Sequence, residues 1–285
     1  MGTLDAAIKD WVNERPYLKE IAQLHEIITT IVEGDVAPEV AGADANWGRT
    51  VDEFKKGIPV LRANEINEAI IENAANLLIE IIDALTAASL PDKIISYSQQ
   101  AQAIFHKRTD LPGQLIEDVL ENNSIQNNAD LEEIDEGFIV FLAWSALSGA
   151  LKPLKQQVAE LLNDHQWRKG YCPVCGQLPA MGHLVRTEKG RERDLVCGCC
   201  QMKWRYRRIG CPYCDNSKQE QLKIIGLDDE PDLRIDTCEK CKCYLKTYTG
   251  EGKEQVALAD WSTLHLDLIA KKHGFKRVGY QRYEV

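Results

Sequence analysis

Apolar positions in the first part of the chain recur at helical spacing. In "PYLKEIAQLHEIITTIVE" they fall at Leu18, Ile21, Leu24, Ile28 and Ile31, and further on at Ile66, Ile70, Ala74, Leu77, Ile81 and Leu85. Steps of three and four keep each set on one helical face, so both segments are predicted as amphipathic helices with that face turned to a core. Pro16 stands near the start of the first, where a missing N–H is no loss. "SQQAQAIFHK", "GQLIEDVLEN" and "EEIDEGFIVFLAWSALSGALKPLKQQVAELLND" continue the pattern, the last with a kink or break at Pro153. The run from Gly137 to Leu151 is too short for a membrane span and reads as a buried helix. Strand-like alternation is scarce, which predicts an all-α region of six or seven helices.

The pattern changes beyond residue 168. Short strand-like stretches, "GHLV", "RDLV" and "KWRYRRI", are followed by "LKIIGL", "LRID" and "KCYLKTY" in the same arrangement. Cysteine pairs punctuate both sets. Between Cys172/Cys175 and Cys197/Cys200 lie 21 residues, and between Cys211/Cys214 and Cys238/Cys241 lie 23. Each gap has room for a hairpin, the first turning near Lys189-Gly190 and the second through "DDEP". Knuckle, hairpin, knuckle and strand, twice over, predict a duplicated ribbon of the zinc-ribbon or rubredoxin type.

A Cys-x-x-Cys knuckle converges two thiolates on one point, and two knuckles close a tetrahedral site of four sulfurs. A single such pair is equally a redox dithiol, but four at matched spacing favour two metal ions. Four thiolates suit zinc or iron and do not choose between them. A closed site also has no open position for a catalytic water. Sequential pairing follows the repeat, with interleaved pairing of first and third knuckles as the alternative. Cys199 and Cys243 are read as bystanders beside ligands, with Cys199 able to replace Cys200.

Charge divides the chain at the same place. Residues 1–165 hold 12 Lys/Arg against 28 Asp/Glu, and residues 166–285 hold 22 against 16 along with all ten cysteines. The expected class is α+β multidomain: an N-terminal all-α helical domain over 1–168, a first four-cysteine ribbon over 169–208, a second over 209–256, and a C-terminal helix and tail over 257–285. The start "MGTLDAAIKDW" has no basic segment followed by an apolar run, so a cytoplasmic protein with reduced thiols is expected. The acidic group Asp130, Glu132, Glu133, Asp135 and Glu136 reads as the first turn of a helix rather than an acid/base pair. His25 and His106 read as packed or surface residues.

Arg186, Lys189, Arg191, Arg193, Lys203, Arg205, Arg207 and Arg208 form a basic patch interleaved with Trp204 and Tyr206. Such a patch can read single-stranded nucleic acid. Docking on an acidic surface, including the helical half of this chain, is the preferred reading on charge complementarity.

"YCPVCGQLP", the downstream "CGCC" and "CPYC", "GLDDE", "CEKCKCYLK" and the tail "LADWSTLHLDLIAKKHGFKR" together resemble the formate dehydrogenase accessory protein family, FdhE, over Tyr171 to Lys276. The resemblance implies a cytoplasmic maturation factor, not an enzyme, that binds the formate dehydrogenase catalytic subunit before its export by the twin-arginine route. It implies ligands Cys172, Cys175, Cys197 and Cys200 at one site and Cys211, Cys214, Cys238 and Cys241 at the other, holding iron or zinc. The tail departs from the family's tendency to Asp-Asp by carrying Asp260-Trp261. Asp260 and Asp267 are expected on one helical face, capping or salt-bridging between domains, or else touching a partner. A rubredoxin-like electron carrier and a zinc-ribbon nucleic-acid binder are the competing functional readings.

Overall fold

The computed structural model describes residues 2–34, 47–63, 68–121, 129–188 and 190–279. Ile66 and Lys189 lie outside them. By compactness the chain divides into two units.

One unit comprises the described residues of Arg15–Trp47 and Asn64–Gln157 and is helical. Counting the helices that belong to the other unit, the described residues through Asp164 form nine helices, more than the six or seven expected. They are α1 (Gly2–Glu14), α2 (Lys19–Val32), α3 (Trp47–Lys55), α4 (Val60–Ala63), α5 (Glu68–Thr86), α6 (Asp92–Lys107), α7 (Leu111–Glu121), α8 (Glu136–Ala150) and α9 (Lys152–Asp164). The segments named from sequence account for α2 and, with a full break before Pro153, for α5 to α9; the surplus is α1 and the two pieces too short to show a periodic run, α3 and α4. Continued as one helix, the chain would set the proline ring against the Gly149 carbonyl.

Helix α5 is the axis of this unit, packing on α2, α6, α7 and α8. Its apolar stripe is the reason: Ile70, Ala74, Leu77, Ile81 and Leu85 are all buried, as are Leu78 and Ile82. Helix α8 is apolar all round and buried over most of its length. Asp135 caps it, its carboxylate accepting the Phe138 N–H at 3.1 Å, so this acid serves the helix start. Asp130 pairs with Arg108. His25 is buried edge-on to Phe141. Among the described residues no single helix is long and apolar enough to cross a membrane.

The other unit comprises the described residues of Met1–Glu14, Gly48–Ala63 and Val158–Val285. All six strand-like stretches form strands: β1 (Pro179–Thr187), β2 (Gly190–Cys197), β3 (Lys203–Tyr206), β4 (Leu222–Gly226), β5 (Leu233–Cys238) and β6 (Cys243–Tyr248). They make one sheet in the order β3-β2-β1-β6-β5-β4. Each ribbon is an antiparallel meander, and the two join by parallel pairing of β1 with β6, Met181 opposite Lys246. The fold is thus helical region, paired four-cysteine ribbons and C-terminal helix, with the ribbons fused into a single sheet.

After the sheet come α10 (Glu254–Ala257) and α11 (Leu264–Lys272). Helix α11 packs on β5 and β6, and α1 packs on α10. The Trp11 indole N–H donates to the Ser262 carbonyl at 3.2 Å, so the first helix is bonded to the last part of the chain.

Candidate metal centres

Each cysteine pair opens a tight turn at the end of a strand or loop. In all four, the residue after the second cysteine is left-handed: Gly176 (φ 79°), Gln201 (62°), Asp215 (58°) and Lys242 (57°). That conformation curls the backbone so that an N–H faces a sulfur. The Val174 N–H lies 3.4 Å from Cys172 Sγ and the Cys199 N–H 3.3 Å from Cys197 Sγ.

The turns meet in sequential pairs, not as a cross-brace. Cys172, Cys175, Cys197 and Cys200 bring their sulfurs within 4.8 Å of one another, and so do Cys211, Cys214, Cys238 and Cys241. In the first cluster Cys172–Cys200, Cys175–Cys197 and Cys175–Cys200 are each 3.5 Å apart. In the second, Cys211–Cys241 is 3.6 Å and Cys214–Cys238 is 3.8 Å. Sulfurs around one zinc at about 2.3 Å stand about 3.8 Å apart, so both donor sets fit a tetrahedral ion. Cys199 and Cys243 belong to neither cluster. The Cys243 thiol donates to the Cys241 carbonyl at 3.3 Å.

Both clusters concentrate anionic character on the same position of the repeat. Burial pushes the Cys172 and Cys175 thiols well above the ordinary range. Burial opposes the Cys197 thiolate too, but hydrogen bonds from Cys172, Cys175, Cys199 and Cys200 outweigh it and hold its pKa well below. In the second cluster burial raises Cys211, Cys214 and Cys241. Cys238, also opposed by burial, is brought down to about 7 by the Cys241 and Lys240 N–H groups and the Asn216 amide. A cation that takes up the raised thiols as thiolates displaces their protons, which couples its affinity to pH.

The two sites differ in cover. All four cysteines of the first are buried, whereas Cys214 and Cys241 of the second are half-buried. The first is roofed by α3 and α4. The Val60 and Leu61 N–H groups, which open α4 and have no partner within it, donate to the Pro173 and Val174 carbonyls of the knuckle at 2.9 and 3.0 Å. Tyr171 Oη donates to the Gly57 carbonyl at 2.8 Å, and Trp167 packs on Phe54 with ring centres 4.8 Å apart. No motif announced this roof; its sequence signal is the aromatic pair Trp167 and Tyr171 just ahead of the knuckle.

The basic patch does not form a stacking surface. Trp204 and Tyr206 are buried, and their polar atoms donate inward, to the Lys169 and Cys211 carbonyls. Arg205 pairs with Glu192 and Asp194, and Arg207 with Asp215. Lys189 lies outside the described residues.

Asp260 and Asp267 are buried inside this unit rather than bridging domains, and only Asp267 lies on α11; Asp260 opens the short turn before it. Both face Lys246, with Arg277 closing the group and Tyr244 donating to Asp267 at 2.6 Å. Lys246, Tyr244 and Arg277 escaped the sequence reading. The available signal was alternation in "CYLKTY", which sets Lys246 on the same face as Tyr244 and Tyr248. Glu230, from "GLDDE", lies 2.6 Å from His265 and ties the β4–β5 turn to α11.

Residues 209–283 match the family described as "FdhE, C-terminal domain". The chain is 32% identical over 133 residues to the protein FdhE homolog of Aquifex aeolicus, covering 45% of this chain and 47% of that one. It is 33% identical over 114 residues to protein FdhE of Escherichia coli O1:K1, covering 39% and 36%. The matched stretches span about half or less of these relatives' length. The crystal structure of the FdhE protein from Pseudomonas aeruginosa superposes with a TM-score of 0.68 at 20% identity, over 96% of this chain and 92% of that one, which shows a shared fold. The second ribbon and the C-terminal helix thus match the FdhE C-terminal domain, and the aligned half of the chain is similar in sequence to FdhE proteins.

Proposed function

We propose that this chain is a cytoplasmic accessory protein for formate dehydrogenase, binding the catalytic subunit during its maturation and before export. The observation that carries the reading is the match of residues 209–283, which hold the second four-cysteine cluster, to the FdhE C-terminal domain. Cys172, Cys175, Cys197 and Cys200 would hold one metal ion and Cys211, Cys214, Cys238 and Cys241 another, iron or zinc, each ion holding its ribbon in shape. The domain plan of helical region, two ribbons and closing helix serves client recognition and not turnover.

A second reading, electron transfer of the rubredoxin type, draws support from the half-buried Cys214 and Cys241. It requires iron and reversible reduction at the second site. The nucleic-acid reading has lost its aromatic platforms to the core.

The test is anoxic affinity capture of the tagged chain from its native cells, with mass spectrometry of co-purifying proteins. Enrichment of the formate dehydrogenase catalytic subunit, reduced in a Cys172→Ser/Cys175→Ser control, is the expected result. Absence of that subunit, with a redox protein or nucleic acid in its place, overturns the reading.

A further inference from the structure

One face of the sheet carries α11 and the Lys246 group. Alternation along the strands sends other side chains to the opposite face: Cys243, Leu245 and Thr247 of β6, and Arg234 and Asp236 of β5. On the first ribbon the register sets Leu184 opposite Arg193 and Arg186 opposite Arg191. Between the ribbons, on this face, is a cavity of about 340 Å³. Arg191, Arg193, Arg208, Lys223 and Arg234 line it, against Asp236 as the one carboxylate among its lining residues.

That carboxylate is already engaged. Asp236 accepts from Arg234, with the closer contact at 2.9 Å, and from the Thr247 hydroxyl at 2.9 Å. Among the described residues no carboxylate lies within ion-pairing distance of Arg191, Arg193, Arg208 or Lys223. Arg193 is 4% exposed. One of its terminal nitrogens donates to the Gly210 carbonyl at 2.6 Å, and its plane lies over the Tyr206 ring, but its Nε is buried with no acceptor. The Nε of Arg234 is in the same state. Buried guanidinium donors without acceptors are rare in native proteins, because such a group keeps the full cost of leaving water. Both arginines line the one cavity, where their guanidinium groups have hydrogen-bonding capacity that the protein leaves unused.

We propose that this cavity binds a phosphorylated small molecule, its phosphate or diphosphate held by Arg191, Arg193, Arg208 and Arg234. The five cations outnumber Asp236 and the cluster cysteines Cys211 and Cys238 that share the wall, and the guanidinium fork matches the several oxygens of a phosphate. The wall also has an apolar part. Ile224 and Ile209, 59% and 46% exposed, stand at the site with Leu222 and offer a surface for the organic part of the ligand. The volume lies within the range of small-molecule pockets, about 300–1,000 Å³.

The test is calorimetric titration of the metal-loaded full-length protein with pyrophosphate, with ADP, and with hexaglutamate as a carboxylate polyanion. Saturable binding of ADP and pyrophosphate, one per chain, is expected, with hexaglutamate weaker than both. Arg208→Gln and Arg191→Gln, both at exposed positions, are expected to weaken ADP about tenfold each while metal content and melting temperature hold. Arg193→Lys keeps the charge but loses the Nε donor, and is expected to weaken ADP as well. Absence of saturable phosphate binding in the millimolar range overturns the proposal. So do affinities indifferent to both exposed variants, or hexaglutamate binding more tightly than either phosphate. None of these outcomes bears on client capture, so this proposal and the accessory function fail separately.

Discussion

Lys246 Nζ lies 2.7 Å from Asp260 Oδ1, with both side chains 4% exposed or less. The ammonium also meets the Asp260 carbonyl at 3.0 Å, the Thr263 carbonyl at 3.4 Å and Asp267 Oδ2 at 2.8 Å, so four acceptors surround its three hydrogens. Arg277 supplies the second cation, on Asp260 Oδ2 and Asp267 Oδ1. Two carboxylates and two cations balance, which is the condition for keeping four charges out of water.

Lys246→Met removes one cation and leaves two buried carboxylates to share Arg277. A loss of about 3–5 kcal/mol is expected. Denaturant unfolding of the metal-loaded protein reads it as a shift in midpoint; a shift below about 1 kcal/mol would mean the group is solvated in solution.

The same group has a pH signature. Burial raises the Asp260 carboxyl, but Lys246 and Arg277 prevail and hold it at about 2 against an ordinary 3.8. A carboxyl depressed on folding adds stability that is complete above its unfolded pKa and is lost as pH falls through its folded one. Asp260 thus contributes about 2 kcal/mol above roughly pH 4, fading toward pH 2. The stability gap between the wild type and Asp260→Asn is expected to be flat from pH 7 to 5 and to narrow below about 4. A gap that widens on acidification would contradict the assignment.

Unequal cover of the two clusters predicts unequal release of metal. A chromophoric thiol-competing chelator is expected to withdraw one equivalent quickly, from the site with half-buried Cys214 and Cys241, and the second much more slowly. Cys241→Ser is expected to abolish the fast phase alone, whereas Cys172→Ser removes the slow one and lowers the melting temperature. A structural ion of this kind contributes on the order of 10 kcal/mol in isolated zinc-binding peptides.

Gly170 is a point of close approach between the chain entering the first knuckle and the third knuckle, Cys211/Cys214. A Cβ built there would overlap the Pro212 carbonyl oxygen, a backbone atom that cannot swing away. Gly170→Ala is expected to cost about 3 kcal/mol, read as a lower melting temperature of the metal-loaded protein. Gly48→Ala, where a Cβ meets nothing within 4 Å, is the control and is expected to change little.

Much of this architecture was legible locally. The α5 stripe is a property of 3.6-residue geometry, and its residues are buried where the spacing put them. The six strands followed from alternation between matched cysteine pairs, since a Cys-x-x-Cys turn at each end leaves the intervening chain only a hairpin to return by. Sequential clustering followed from the same repeat. The short helices α3 and α4 were not legible, because nine and four residues are too few to display a period. Nor was the fate of Trp204 and Tyr206: alternation with arginines looks the same whether the aromatic face is inside or out.

Local covalent spacing determined the helices, the hairpins and the gathering of eight thiols in two sets of four, because each depends on residues within about thirty positions of one another. Tertiary structure decided what no short-range pattern contains. It joined the ribbons through parallel pairing of β1 with β6, brought residues 48–63 over the first cluster, and turned Asp260 and Asp267 inward onto Lys246 and Arg277. It also set five cations around one cavity with a single carboxylate among them. The physical reason is common to all four. A charge or an edge strand is satisfied by whichever partner the packed chain delivers, and sequence separation places no limit on which one that is.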